Sequence, residues 1–310
     1  MCKRFDSNNG RLMGLGLQFT ARMVALSLAV SAGGAQAAAD PPWFTLVTTQ
    51  TGLTGVIGRN ISVVDVNGDG YLDLLLHLPL NEAAGDVLNK QFLYLNRPTG
   101  GGRRFVDFTA DSGIRANRRG TDEGRHSSLA IFADVNNDGN IDMFSGVYGH
   151  RLEVFVDRGD RNDLYLGDGR GHFTLAANSR FHTEPLYNTT GAIFLDYDRD
   201  GKIDLFTGNW YAGDKVLSES ILYQGRGDGQ FQNVNSSAGL AGNRGAIYAV
   251  TAVDYNGDGY PDLMVPSYGS SVPGQRSVLY ENSCPARSGA IRTAVQTLNR
   301  KCITSPLRTT

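Results

Sequence analysis

Asp65-Val66-Asn67-Gly68-Asp69-Gly70-Tyr71-Leu72-Asp73 is the stretch that decides the fold, because its pattern occurs four times in the chain. The other copies begin at Asp134, Asp196 and Asp254, with acids or amides at positions 1, 3, 5 and 9 and glycine at position 6. Asp, Asn and Gly also cluster in ordinary turns. Chance would give these five fixed positions at roughly one start in a million. Four copies in register therefore predict metal-binding loops.

The pattern supplies the oxygen atoms that a hard cation requires. Calcium takes six to eight oxygens at about 2.3–2.6 Å, and a glycine with positive φ lets a loop turn tightly around it. At position 7 the residue type varies, as expected if only its main-chain carbonyl binds. The predicted ligands of about four Ca²⁺ ions are Asp65, Asn67, Asp69, Tyr71 and Asp73; Asp134, Asn136, Asp138, Asn140 and Asp142; Asp196, Asp198, Asp200, Lys202 and Asp204; and Asp254, Asn256, Asp258, Tyr260 and Asp262.

The flanks of each loop predict β-hairpins rather than the helices of an EF-hand. Short apolar runs precede and follow every loop, as in Ser62–Val64 and Leu74–Leu76. An EF-hand carries glutamate at position 12, but none of these four loops has glutamate there. Runs of three to five β-favouring residues around a tight turn are typical of buried hairpins.

Each repeat continues with two further strand patterns. A Leu-Tyr strand such as Gln91–Leu95 is followed by a glycine-rich turn and a strand that begins with Phe, such as Phe105–Thr109. Four strands per unit predict an all-β propeller of about four blades. The last unit lacks its Phe strand, so we expect the N-terminal strand Phe44–Thr48 to complete that blade. An open arc that pairs with a second copy is the alternative, so the chain is expected to be a monomer or a homodimer.

With its acidic hairpins followed by Leu-Tyr and Phe strands, the chain resembles the FG-GAP/VCBS repeats of the integrin α-subunit propeller over residues 43–282. The chain is similar to the ASPIC/UnbV and cartilage-acidic-protein branch in pairing a Phe strand with a glycine-containing segment shortly after it. These pairs are Phe105–Thr109 with Ser112–Ile114 and Phe231 with Ala238–Leu240. The resemblance implies a calcium-binding module for extracellular binding or adhesion. The chain departs from integrin propellers in having four units rather than seven and no Phe-Gly…Gly-Ala-Pro motif.

The remaining segments predict export. Residues 1–37 combine basic residues, an apolar stretch and Ala35-Gln36-Ala37, which is typical of a cleaved signal peptide, with an uncleaved anchor as the alternative. The propeller is then expected over 38–282 in a secreted, periplasmic or cell-surface protein without membrane insertion after cleavage. The tail 283–310 is basic, and in an oxidising compartment Cys284 and Cys302 are expected to pair in a disulfide. A frayed tail is the alternative.

The formal net charge of −2 favours neither nucleic acid nor a membrane surface as a partner. Strand alternation places the acidic loops and glycine-rich turns on one face and the variable connections on the other. Connections of this kind usually carry the binding surface. The candidate ligand face, for an extracellular protein or glycan, comprises Arg118, Arg119, Arg125, His126, Trp210 and Tyr211. Solvated loops and a buried tryptophan are the alternative reading of these residues.

Catalytic patterns are weak, and we expect no enzymatic activity. The five histidines are scattered, with neither Gly-x-Ser-x-Gly nor His-Glu-x-x-His. One alternative function is a propeller-type polysaccharide lyase or another glycan-active enzyme. Its site would combine His77 and His126 with Glu123 or Arg125.

Overall fold

The computed structural model of this chain describes residues 43–78, 90–121, 124–125, 127–148, 160–185, 187–212, 216–268 and 276–283. Named strands among these residues all belong to one compact unit, Val47–Thr310. The predicted signal peptide, the Cys284–Cys302 disulfide and His126 lie outside the described residues and stay predictions.

Four antiparallel sheets follow one another along the chain, and we call them blades 1 to 4. Blade 1 consists of β1 (Asn60–Val64), β2 (Asp73–Leu78), β3 (Lys90–Thr99) and β4 (Gly102–Asp107). Blade 2 consists of β5 (Leu129–Ala133), β6 (Asp142–Gly146), β7 (Asp163–Gly167) and β8 (Phe173–Leu175). Blade 3 consists of β9 (Thr189–Leu195), β10 (Asp204–Asn209), β13 (Ile221–Gly225) and β14 (Phe231–Asn233). Blade 4 consists of β15 (Thr251–Val253), β16 (Asp262–Val265) and β17 (Val278–Tyr280).

Other regular elements are short. A two-stranded ribbon of β11 (Tyr211–Ala212) and β12 (Val216–Leu217) interrupts blade 3. The described part of the chain also forms the short helix α1 (Thr109–Ser112) and a 3-10 turn at Arg180–Thr183. Within the described ranges, every helix falls short of the length and apolarity needed to cross a bilayer. The all-β fold predicted from the repeats is confirmed.

Each blade begins with the predicted hairpin. The residue before the acidic loop pairs with the aspartate that ends it: Val64 with Asp73, Ala133 with Asp142, Leu195 with Asp204, and Val253 with Asp262. This common register aligns the blades residue by residue. Position 9 of every loop is therefore the first residue of a central strand.

Three apolar cores lie between successive blades. Leu75 and Leu93 of blade 1 share one core with Met143 and Tyr165 of blade 2. The second core joins blades 2 and 3, and the third joins blades 3 and 4. Because central strands contribute to cores on both sides, β6 is buried along its whole length. This burial explains why such strands read as continuous apolar runs rather than alternating patterns.

The predicted closure by an N-terminal strand is wrong. Residues 44–47 have no regular structure and residues 48–50 form a turn, so blade 4 keeps three strands among the described residues. Phe44 is 94% exposed. The chain instead turns back locally, with Thr51 N–H donating to the Val47 carbonyl at 2.9 Å. Beyond this turn it follows blade 1, where Phe105 N–H donates to the Thr51 carbonyl at 2.9 Å.

Candidate metal centres and the opposite face

The four acidic loops connect the first two strands of every blade, and we number their positions 1 to 9. The glycine at position 6 has a positive φ in all of them: 82° at Gly70, 87° at Gly139, 81° at Gly201 and 88° at Gly259. L-residues with a side chain rarely adopt this conformation. The turn that closes each loop therefore depends on glycine, as the sequence predicted.

One hydrogen-bond pattern recurs in the loops. In the first, the Asp65 carboxylate accepts from the N–H of Asp69 at 3.2 Å and from the N–H of Gly70 at 2.8 Å. The three equivalent pairs measure between 2.8 and 3.1 Å. The position-5 carboxylate also accepts from the N–H of position 7 at 2.8–2.9 Å in every loop. Backbone donors thus fix the orientation of the side-chain oxygens.

Position 9 has a structural role that the sequence did not reveal. Asp142 is fully buried, and its two oxygens accept from Val135 N–H at 3.0 Å and from Gly167 N–H at 2.9 Å. The other three position-9 aspartates make the same two bonds at 2.7–3.1 Å. In blades 1 to 3 each carboxylate therefore fastens its loop to the third strand, and in blade 4 to Asn282, just beyond that strand. Each oxygen keeps a second lone pair for a cation.

Burial makes the carboxylates of Asp142 and Asp204 costly to ionise. It raises the pKa of Asp142 to about 6 and that of Asp204 to about 7, although their backbone donors lower it. Other loop carboxylates raise the pKa further, Asp138 and Asp134 in the case of Asp142. A bound divalent cation would favour the ionised form and reverse these shifts.

The donor set of the loops fits calcium. In blade 3, Asp196, Asp198 and Asp204 each offer an oxygen, and these atoms lie within 4.8 Å of one another. The ligand positions supply oxygen alone, which suits a hard cation. Two loops also hold a basic side chain: Lys202 Nζ lies 2.8 Å from Asp200 Oδ2, and Arg103 Nη2 lies 3.3 Å from Asp69 Oδ2. A cation in those loops would compete with an internal ion pair.

Position 4 is a second left-handed position that sequence reasoning missed. Its φ is 68° at Gly68, 58° at Asn137, 58° at Arg199 and 75° at Gly257. Glycine and asparagine, which tolerate this conformation best, fill three of the four copies. That bias was the available signal, and the arginine in the third copy obscured it.

The predicted arginine-rich ligand surface is wrong for Arg125, which is buried, whereas Arg118 is exposed and engaged in an ion pair. Arg118 donates from Nε and Nη2 to the two oxygens of Asp163, at 2.9 and 2.7 Å. Arg125 is 2% exposed, with Nη1 3.8 Å from Asp163 and 3.3 Å from the Tyr165 hydroxyl. These arginines fasten the connection to blade 2 because buried Asp163 requires compensating charge. Arg119 is exposed.

The residues of the lyase alternative are not accessible where the structure describes them. His77 is 3% exposed and lies 2.9 Å from Gln91 Nε2 and 3.2 Å from Ser127 Oγ. Burial lowers the pKa of His77 to about 4, so its ring is neutral at pH 7. Arg125 is buried as well, whereas Glu123 lies outside the described residues. His77 is a structural side chain rather than a proton carrier facing solvent.

Trp210 belongs to an aromatic cluster on the face opposite the acidic loops. Its ring centroid lies 5.8 Å from that of Tyr248 and 5.4 Å from that of Tyr268, and the two tyrosine rings are 6.3 Å apart. Tyr248 is 55% and Tyr268 51% exposed. Trp210 directly follows β10, and Tyr268 lies just beyond β16. The sequence pattern predicted Trp210 as a ligand-face residue but gave no signal for the two tyrosines, which are distant from it in sequence. The side chain of Tyr211 lies outside the described residues.

Comparison with known families assigns the repeat. The FG-GAP-like repeat family matches residues 134–207 and 211–265, which contain the acidic loops of blades 2, 3 and 4. These two segments are FG-GAP-like repeats. Such repeats imply a propeller, in agreement with the successive antiparallel blades of four, four, four and three strands. The family predicted from the acidic hairpins is thereby confirmed.

Two curated relatives share these FG-GAP-like repeats. Cartilage acidic protein 1 of Mus musculus is 26% identical over 213 residues, covering 66% of this chain and 29% of that protein. Integrin alpha-IIb of Homo sapiens is 29% identical over 154 residues, covering 46% of this chain and 15% of that protein. The chain therefore spans less than a third of either relative.

Among solved structures, an Agrocybe aegerita protein described as recognising non-reducing terminal N-acetylglucosamine is 18% identical, with a TM-score of 0.37. The match covers 66% of this chain and 45% of that chain. A likeness of this size carries no argument about fold or ligand.

Proposed function

We propose that this chain is a secreted, calcium-binding FG-GAP repeat module that binds an extracellular protein or carbohydrate without chemical turnover. The observation that carries the proposal is the repeated loop geometry, in which the same backbone donors orient the same carboxylates in all four blades. The signal-peptide pattern at residues 1–37 supports export to a compartment where millimolar calcium fills weak sites.

Calcium has a structural part in this proposal. Each loop lies between the first two strands of its blade, and in blades 1 to 3 the position-9 aspartate links it to the third. An ion held by positions 1, 3, 5 and 9 would join all of these strands. If each Kd were ~0.1 mM at ~1 mM calcium, four ions would stabilise the fold by about 6 kcal/mol.

The ligand would bind on the opposite face, at the aromatic cluster of Trp210, Tyr248 and Tyr268. Exposed aromatic groups mark interaction sites on soluble proteins. Tyrosine and tryptophan offer a flat apolar surface with a polar edge, which suits both the C–H face of a sugar ring and a protein side chain. The relatives include an integrin, which supports a binding role rather than an enzymatic one.

Intrinsic fluorescence gives a direct test. The chain has two tryptophans, so Trp43→Phe leaves Trp210 as the sole indole. Glycans and extracellular proteins that bind on an array should shift the emission of this variant. Trp210→Ala should abolish their binding, whereas Trp43→Ala, at a residue 96% exposed, should leave it unchanged.

Two results would contradict the proposal. The first is undiminished binding by Trp210→Ala, which would place the ligand elsewhere. The second is turnover of a bound polysaccharide, detected as new ultraviolet absorbance from unsaturated uronic acids, which would establish the lyase instead.

A further inference from the structure

The common register of the blades identifies two apolar faces that belong to the repeat pattern but have no neighbouring blade among the described residues. Within the chain, each interface between blades joins a leading face of one blade to a trailing face of the blade before it. The leading face includes the residue just before the last residue of the first strand. The trailing face includes the last residue of the first strand and the residue at the second position of the acidic loop.

Leading faces are covered in blades 2, 3 and 4. Phe132 packs in the core with blade 1, Phe194 in the core with blade 2, and Ala252 in the core with blade 3. The equivalent residue of blade 1 is Val63, which is 53% exposed, and Ile61 on the same side of β1 is 57% exposed. The segment before β1 covers part of this side, where Gly58 lies against Leu76, but it leaves these two side chains in solvent.

Trailing faces show the same contrast. At the second loop position, Val66 of blade 1 is 2% and Val135 of blade 2 is 1% exposed, whereas Tyr255 of blade 4 is 51% exposed. In the third strand, Leu93, Leu164 and Leu222 are 0%, 0% and 3% exposed, whereas their equivalent Leu279 is 47% exposed. Val253 beside Tyr255 is 51% exposed. Among the described residues of blade 4, Val253, Tyr255 and Leu279 are therefore each about half exposed on the trailing face.

We propose that the trailing face of blade 4 (Val253, Tyr255 and Leu279) packs on the leading face of blade 1 (Ile61 and Val63) in a second copy of this chain. The contact would continue an interface that the chain forms three times internally. Two copies related by a twofold axis would make it twice and cover all four end faces. Eight blades would result, within the usual range of four to eight for propellers.

Size measurement with point variants tests this arrangement. In calcium buffer the wild-type protein should show twice its monomer mass by light scattering. Val63→Lys blocks the leading face and Leu279→Lys blocks the trailing face; both residues are about half exposed, so the variants should fold. Either variant alone should be monomeric, because every contact needs one face of each kind. Val106→Lys, at an exposed residue on the outer strand β4, should remain dimeric.

Mixing the two variants distinguishes head-to-tail pairing from other modes. An equimolar mixture of Val63→Lys and Leu279→Lys retains one intact pair of faces and should regain the dimer mass. Both introduced charges have the same sign, so a salt bridge cannot produce this recovery. A monomeric wild type, variants that still dimerise alone, or a mixture that stays monomeric would each overturn the proposal.

Discussion

Replacing Asp142 by asparagine separates the two roles of the position-9 carboxylate, which are fastening the third strand and binding a cation. The amide keeps one acceptor oxygen but points an N–H₂ group at either Val135 N–H or Gly167 N–H. A buried donor left without an acceptor costs about 1–3 kcal/mol. The change also removes a buried negative charge.

The removed charge makes the effect depend on calcium. Burial raises the pKa of Asp142 from 3.8 to about 6, so ionisation at pH 7 without metal costs the native state about 3 kcal/mol. Asparagine avoids this ionisation cost, which offsets the lost hydrogen bond. In EGTA the substitution should therefore change the unfolding free energy by less than about 2 kcal/mol. In calcium the substitution also loses one binding site, and a lost site of ~0.1 mM Kd adds about 1.4 kcal/mol at ~1 mM calcium, because this Kd already includes the cost of ionising Asp142.

Urea unfolding at pH 7, followed by circular dichroism in 1 mM calcium and in EGTA, measures both costs. We expect the cost of Asp142→Asn to be about 1.4 kcal/mol larger in calcium than in EGTA. Asp111→Asn, at an exposed aspartate outside the loops, should show no calcium dependence. Equal costs of Asp142→Asn in the two buffers would refute calcium binding by this carboxylate.

Three further predictions follow from the described geometry. Gly139→Ala should lower the unfolding free energy by about 1–2 kcal/mol because the backbone φ is 87°; steric overlap does not contribute, since an added Cβ meets nothing within 4 Å. The control Gly100→Ala, also in open space but without a positive φ, should cost under about 0.5 kcal/mol. For His77 the folded pKa of about 4 lies below the unfolded 6.5, so stability should fall by up to about 3 kcal/mol as pH drops from 6.5 to 4. This pH-dependent loss should be absent from the stability profile of His77→Gln, and identical pH profiles of the two proteins would contradict it. Asp163→Ala should cost about 3–5 kcal/mol in urea unfolding because it leaves buried Arg125 without its carboxylate, and a loss below about 1 kcal/mol would show that the pair is dispensable.

The acidic repeats predicted most of the fold because they mark the same local structure four times. Each loop specifies a tight turn, and its apolar flanks specify the paired strands, so the hairpin register follows from nearby residues. The Leu-Tyr strand and the strand that begins with Phe extended each unit to four strands. In blades 2 and 3 these predictions correspond to β7, β8, β13 and β14.

Errors arose where distant residues decide the outcome. Phe44–Thr48 has a strand-like composition, but the backbone turns at Val47 and then bonds to β4 of blade 1. Arg125 looked like a solvent-facing basic residue because nothing local indicates its partner, Asp163, some 40 residues away. The aromatic cluster likewise joins residues from two blades. Long-range pairing of this kind leaves no periodic signal in the sequence.

The most direct test of the central claim is the number of calcium ions bound by the folded chain. Native mass spectrometry after equilibration with millimolar calcium should show four tightly retained ions per polypeptide, one for each acidic loop. Alanine at Asp134 should reduce the number to three, since the three other loops are intact. A folded protein that carries no ion under these conditions would contradict calcium binding by the repeats.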